Sequence, residues 1–164
     1  RVHATSIFGA DIGEFFIHRN IANLVPTYKL DSDHEGTFAA IEFAVKTLKV
    51  PNIIILGHSN CGGIEYGYHT CSGEKEKKYE FVDKWLEILK PAFTKVNSID
   101  TNKDKISLLE KESIKNSIKN LLDFPFIKDL VSKEEINIYG LWYNIATGEL
   151  MNLDLDNNKF EQIN

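Results

Sequence analysis

The sequence predicts one α/β domain spanning residues 1–164, with a mainly parallel central β-sheet, flanking helices and an antiparallel edge strand. Three observations carry this. Asn52-Ile53-Ile54-Ile55-Leu56 is a short, continuous aliphatic run, the pattern of a central parallel strand covered on both faces. A strand-like segment and an amphipathic helical segment precede it, which gives the strand–helix–strand order of a βαβ unit. A length of 164 residues is about that of one domain, and no repeat, low-complexity tract or interdomain linker divides it.

The elements follow in order. Glu14-Phe15-Phe16-Ile17-His18 reads as a short strand entered through Gly13 and left at Arg19-Asn20. Residues 26–36 are polar and turn-rich, hence a surface loop. Residues 37–48 carry Phe38, Ile41, Ala44, Val45 and Leu48 at helical spacing, one buried stripe. Pro51 separates this helix from the aliphatic strand. Ile64–Thr70 reads as helical and residues 71–78 as a charged linker. Residues 79–96 place Phe81, Trp85, Leu86, Leu89 and Phe93 on one face of a helix that Pro91 bends or breaks. Residues 105–122 form another amphipathic helix, and Pro125 starts a shorter one ending near Val131. Ile136–Tyr143 and Glu149–Leu155 read as strands joined by a hairpin-like turn at Ala146-Thr147-Gly148.

Composition removes several function classes. Nineteen Lys and Arg against 24 Asp and Glu give a formal charge of −5, with no basic footprint for nucleic acid. The longest aliphatic run falls far short of the ~20 apolar residues of a membrane helix. Two cysteines make no disulfide framework, so a reducing compartment and a cytoplasmic location are expected. The chain begins Arg1-Val2 rather than with Met, which leaves an upstream targeting segment open.

Chemistry concentrates in Gly57-His58-Ser59-Asn60-Cys61-Gly62-Gly63, at the carboxyl end of the aliphatic strand, where open α/β sheets place ligands. His58 and Cys61 are both good zinc ligands, and a helix starting just after them favours a thiolate. Spacing alone also permits a structural Gly-rich turn or a nucleophilic cysteine, although no Arg follows to cradle a phosphate. The Lys-Ser/Thr ending of a phosphate loop is absent. His3, His18, His34 and His69 read as surface or structural residues, and Cys71 as a bystander thiol. Arg19 reads equally as a hydrogen-bonding or interface residue and as an anion ligand, and Tyr143 as packing.

Taken together, the chain resembles the β-class carbonic anhydrases, with plant-type rather than shorter-loop character at Val25-Pro26 and the loop that follows. The resemblance rests on five ordered segments. These are residues 16–26, containing Arg19-Asn20-Ile21-Ala22-Asn23, residues 36–45, the His58-x-x-Cys61-Gly62-Gly63 motif, residues 120–127 and residues 140–150.

The resemblance implies zinc as cofactor, bound by His58, Cys61 and the Cys of a first motif, Cys-x-Asp-x-Arg. Arg1 falls at the last position of that motif, so its Cys and Asp would lie four and two positions before Arg1. Arg1 would then pair with that Asp and keep it ionised, in a dyad that orients the zinc-bound hydroxide. The implied reaction is reversible hydration of carbon dioxide to bicarbonate and a proton by a zinc-bound hydroxide, with the Gly62 N–H offered to the substrate. It further implies self-association as a dimer or tetramer, compatible with Phe15, Phe16, Phe43, Trp85, Phe124 and Phe126, and no nucleic-acid or membrane partner. Arg19 and Tyr143 fall where some bacterial members bind a second, non-catalytic bicarbonate. Two alternatives stay open: a non-catalytic member with weak zinc binding, and a carbon disulfide or carbonyl sulfide hydrolase on the same scaffold.

Overall fold

The structure is a computed structural model that describes residues 2–30 and 34–163. Arg1 and the loop residues Asp31, Ser32 and Asp33 lie outside the described residues. Four strands, β1 (Asn52–His58), β2 (Asn137–Tyr143), β3 (Leu150–Asp154) and β4 (Lys159–Gln162), form one sheet in the order β1-β2-β3-β4. Seven helices accompany it among the described residues: α1 (Ala4–Phe8), α2 (Glu35–Glu42), α3 (Gly62–Ser72), α4 (Glu80–Leu86), α5 (Lys90–Asn97), α6 (Lys105–Leu122) and α7 (Pro125–Ser132).

The α/β class stands, but the balance of the sheet differs from the expectation. Among the described residues only β1 and β2 pair in parallel, from Asn52 opposite Asn137 to His58 opposite Tyr143. The pairs β2–β3 and β3–β4 are antiparallel, so the sheet closes in a two-hairpin meander rather than one edge strand. The hairpin into β4 escaped the sequence reading because residues 159–162 are mostly polar and exposed, without an apolar alternation.

β1 also departs from the expected central strand. It lies at the edge of the sheet formed by the described residues, and Ile53 and Ile54 are only half-buried. Residues 14–18 begin on a bend and pair with no strand among the described residues, so the expected first strand of the βαβ unit is not formed there. Its side chains have no ladder partner and stay exposed.

The remaining differences lie at helix boundaries. The helix after the first loop turns from α to a wider π turn at residues 43–47, which leaves Leu48 exposed instead of in the stripe. Residues 79–96 divide into α4 and α5 across a tight turn at residues 87–89, and Pro91 starts α5 rather than bending a longer helix.

α6 organises the interior. Asp104 Oδ1 accepts the Ile106 N–H at 2.9 Å and caps its start. Ile114, Ile118 and Leu121 pack on β1, β2 and α7 in one core with Ile55, Phe124, Ile127, Trp142 and Leu153. Leu109 joins a second core with Leu24, Ile64, Leu86, Leu89 and Val96, beneath α3, α4 and α5. Close approach to the sheet is possible because Gly57 and Gly140 have no side chain. A Cβ on Gly57 would meet Ile114 Cδ1 at 2.7 Å, and one on Gly140 would meet Ile118 Cδ1 at 2.8 Å.

Candidate metal centre

The end of β1 and the start of α3 bring His58 and Cys61 together. Ser59 continues the parallel ladder by donating its N–H to Tyr143 O at 2.9 Å, while its hydroxyl accepts the Ile145 N–H at 2.9 Å. The turn then reverses at Asn60, whose left-handed φ of 54° suits an Asn better than most residues. Cys61 is the residue before the first helical turn of α3.

The loop fixes the state of both side chains. His58 Nδ1 lies 2.8 Å from Ser59 O; a carbonyl only accepts, so Nδ1 carries a proton and Nε2 is the nitrogen left to serve a metal. Hydrogen bonding with the Cys61 side chain raises the His58 pKa above its ordinary value, against the opposing effect of burial. Burial by itself would raise the pKa of the Cys61 thiol. The His58 side chain and the backbone N–H groups of Ile64 and Gly63 outweigh it, and the net shift is downward. The pair therefore offers an imidazole nitrogen and a sulfur inclined to ionise, a donor set that fits zinc.

Two further elements wall the loop. From α6, Glu110, only 3% exposed, accepts the Cys61 N–H at Oε1 (3.1 Å) and the Trp142 indole N–H at Oε2 (3.2 Å). Burial raises the pKa of Glu110, and the N–H groups of Cys61, Trp142 and Asn60 act against that rise. Residues 20–25 close another side. Asn20 clamps Leu24 through both its N–H and its carbonyl, at 3.1 and 2.8 Å, and Trp85 Nε1 donates to Ile21 O at 2.8 Å. That segment holds Ala22 and Asn23 at left-handed φ values of 65° and 49°, and it packs so near α3 that a Cβ on Gly63 would meet Ile21 at 2.8 Å.

Of the other predicted site residues, Gly62 opens α3 beside Cys61, with nothing within 4 Å of the position a Cβ would take. Arg1 lies outside the described residues. Arg19 is exposed on the extended segment, and Tyr143, opposite His58, turns its hydroxyl toward Gly148. No hydrogen bond joins these two among the described residues. Nor does a third His, Cys, Asp or Glu join His58 and Cys61 there in a metal-holding group. The other histidines are placed as structural or surface residues: His18 bonds Thr37, His34 packs edge-on to Trp85, and His69 pairs with Glu74. Cys71 is half-buried near the far end of α3.

Glu110 is the site residue that sequence reading missed. It sits beside Leu109 in a helix read only for its apolar stripe. The available signal was a run of small or acidic residues at helical spacing, Glu110, Ser113 and Ser117, on a face that is otherwise core.

A sequence profile described as carbonic anhydrase matches residues 1–150. "Beta carbonic anhydrase 3" of Arabidopsis thaliana is 35% identical over 159 residues, covering 95% of this chain and 61% of that protein. "Beta carbonic anhydrase 6, mitochondrial" of the same plant is 35% identical over 162 residues, covering 97% of this chain and 55% of that protein. The chain thus spans less than two thirds of the length of these curated relatives. Among solved structures, the β-carbonic anhydrase CcaA matches with a TM-score of 0.87 at 28% identity, covering 99% of this chain and 73% of that one. A structure from the report of two tetrameric β-carbonic anhydrases of Sordaria macrospora matches at 0.76 and 28% identity, covering 92% of this chain and 74% of that one.

Proposed function

Because this chain belongs to the β-class carbonic anhydrase family, we propose that it serves the reversible hydration of carbon dioxide to bicarbonate, with zinc as cofactor. The observation that carries the reading is the His58–Cys61 pair, with Nδ1 of the imidazole committed to Ser59 O and the pKa of the Cys61 thiol drawn down by its surroundings. His58 Nε2 and Cys61 Sγ would hold the metal. The resemblance assigns the third protein donor to the Cys of the family's first motif, which is not among the described residues. When bound, zinc supplies Lewis acidity that brings the pKa of a water toward ~7.

The chain's own residues do the rest. The hydrogen bond to Ser59 O keeps the imidazole ring facing the sulfur and fixes its tautomer. The first turn of α3 directs N–H groups at Cys61, which favours the thiolate form that a metal requires. At Gly62 the absence of a side chain leaves room for a small substrate beside the turn, and its N–H is the proposed contact for a bicarbonate oxygen. Arg1 keeps the role the resemblance gives it, holding an Asp of the first motif in its ionised form.

Self-association is part of the proposal. Phe16, Ile17, Ile21 and Phe43 are each close to half exposed, and the rings of Phe16 and Phe43 lie 5.9 Å apart in one apolar strip. A second copy covering this strip is supported by the tetrameric fungal relatives. Phe124, by contrast, is 1% exposed and belongs to the core.

Metal analysis and stopped-flow carbon dioxide hydration on the full protein test the reading. One zinc per chain with hydration is the expected result; stoichiometric zinc without hydration overturns the enzymatic proposal. A substrate panel containing carbon disulfide and carbonyl sulfide then fixes the substrate.

A further inference from the structure

A carboxylate buried against a hydrophobic core is costly unless its oxygens are occupied. Glu110 is such a group. It is 3% exposed, follows Leu109 of one core and precedes Ile114 of the other, and makes no ion pair among the described residues. An apolar residue would satisfy α6 at this position. What Glu110 does instead is connect two other elements: Oε1 takes the Cys61 N–H at 3.1 Å, and Oε2 takes the Trp142 Nε1–H at 3.2 Å. Trp142 is itself seated in the core, with Lys111 Nζ 4.2 Å from its ring centroid, so the second bond ties the carboxylate to β2.

We infer that Glu110 is a positioning residue for the metal centre, a carboxylate clamp that sets where the Cys61 sulfur stands relative to His58 Nε2. The inference rests on the zinc reading above and adds a residue to it. The backbone at Cys61 has two anchors close by: its carbonyl accepts the Glu65 N–H at 2.9 Å inside α3, and its N–H reaches out to α6. Loss of the outer anchor frees the turn between Asn60 and Gly62 to pivot about the first turn of α3. Such a pivot displaces Sγ while His58 stays fixed by the β1–β2 ladder. Outer-shell partners of this kind typically change metal affinity by ~10–100-fold when removed.

The test compares Glu110→Gln with the wild type in the full protein, using zinc loss to a competing chelator and ¹⁵N NMR. Gln keeps the size of Glu but replaces one acceptor oxygen with an NH2 group, so it satisfies only one of the two donors. The expected result is a ~10–100-fold rise in the zinc dissociation constant. The Cys61 amide and the Trp142 indole proton should both move upfield, one because it loses its acceptor and the other because a neutral carbonyl replaces a carboxylate. Trp142→Phe removes one arm and keeps the Cys61 bond, so its zinc dissociation constant should rise less. Ile118→Val loosens α6 without touching the loop and serves as the control for mere destabilisation; its zinc affinity should equal that of the wild type.

Wild-type zinc affinity in Glu110→Gln overturns the inference, and so does an equal loss in Ile118→Val. Failure of the wild type to bind zinc counts against the functional reading instead. The clamp is then judged on the resonances alone: upfield shifts in Glu110→Gln support it and unmoved resonances overturn it.

Discussion

The loop at residues 57–63 and the segment at residues 9–21 both carry parts of the family pattern, yet they are held in opposite ways. In the loop, His58 Nδ1, the Ser59 N–H and hydroxyl, and the Cys61 N–H and carbonyl all have partners within this chain. The segment is irregular and largely exposed, with Phe15, Phe16, Ile17 and Ile21 open to solvent. Its firm attachments are at its end, where Asn20 clamps Leu24 and Trp85 holds Ile21 O. The contrast separates what one chain fixes alone, the pair of candidate metal donors, from an apolar surface that stays open among the described residues. It also explains why the segment matches its family by sequence while failing to form the strand its pattern predicts. A strand is stabilised by its neighbours, and residues 14–18 have no neighbouring strand among the described residues.

The largest effects should come from the loop. His58→Ala and Cys61→Ser each remove a donor, and both should abolish zinc binding and carbon dioxide hydration. Far-ultraviolet circular dichroism should stay near wild type, because His58 lies outside the two main cores and Cys61→Ser exchanges one small buried side chain for another of similar size. Metal analysis and stopped-flow assays read the outcome; retained stoichiometric zinc in either variant would mean that the loop does not hold the metal.

Next in size are the glycines that let α6 approach the sheet beneath that loop. Gly140→Ala places a Cβ 2.8 Å from Ile118 and 3.2 Å from Leu153 Cβ, and the latter is not a flexible side-chain end. Overpacking of this kind costs ~1–3 kcal/mol, measurable as a lower urea midpoint. Gly62→Ala, with nothing within 4 Å of the new Cβ, should leave the unfolding free energy within about 1 kcal/mol of wild type. Equal losses at both positions would show that the helix does not press on β2 as the geometry requires.

How much of this was legible in the sequence follows from the same physics. The boundaries of α6 were readable because Leu108, Leu109, Ile114, Ile118 and Leu121 keep helical spacing between Asp104 and Pro125. His58 and Cys61 were readable because their spacing and flanking glycines are local. Glu110 was not, since its partners, Cys61 and Trp142, are 49 and 32 residues away and meet it only after folding. The aliphatic run of β1 was read as a central strand because hydrophobicity reports that both faces want cover. It does not report whether both edges are paired among these residues.

A smaller effect is expected on the exposed side of the comparison. Phe16→Asp puts a charge into the strip that Phe16 and Phe43 form. If a second copy covers this strip, the dissociation constant of the dimer should rise at least roughly tenfold in sedimentation equilibrium. Because Phe16 is exposed in the isolated chain, its fold stability should move by less than ~0.5 kcal/mol. Unchanged assembly would place the interface on another face.

The smallest effect should be that of Cys71→Ser, and it is the sharpest check on which cysteine matters. Cys71 and Cys61 stand at opposite ends of α3, ten residues apart, which at 1.5 Å per residue is about 15 Å along the axis. One metal ion with Zn–S bonds near 2.3 Å cannot accept both sulfurs across that distance. Their surroundings differ as much as their positions. Burial pushes the Cys71 thiol up, opposed only in part by Lys90 and Lys77, whereas His58 and the first turn of α3 bring the Cys61 thiol down. At neutral pH Cys71 is therefore a protonated, half-buried thiol with no metal to serve. Its replacement by Ser should keep zinc stoichiometry and leave stability within about 1 kcal/mol of wild type, read by metal analysis and urea unfolding. A loss of zinc matching that of Cys61→Ser would move the metal centre to the other end of α3 and dissolve the distinction between a self-held loop and an open segment.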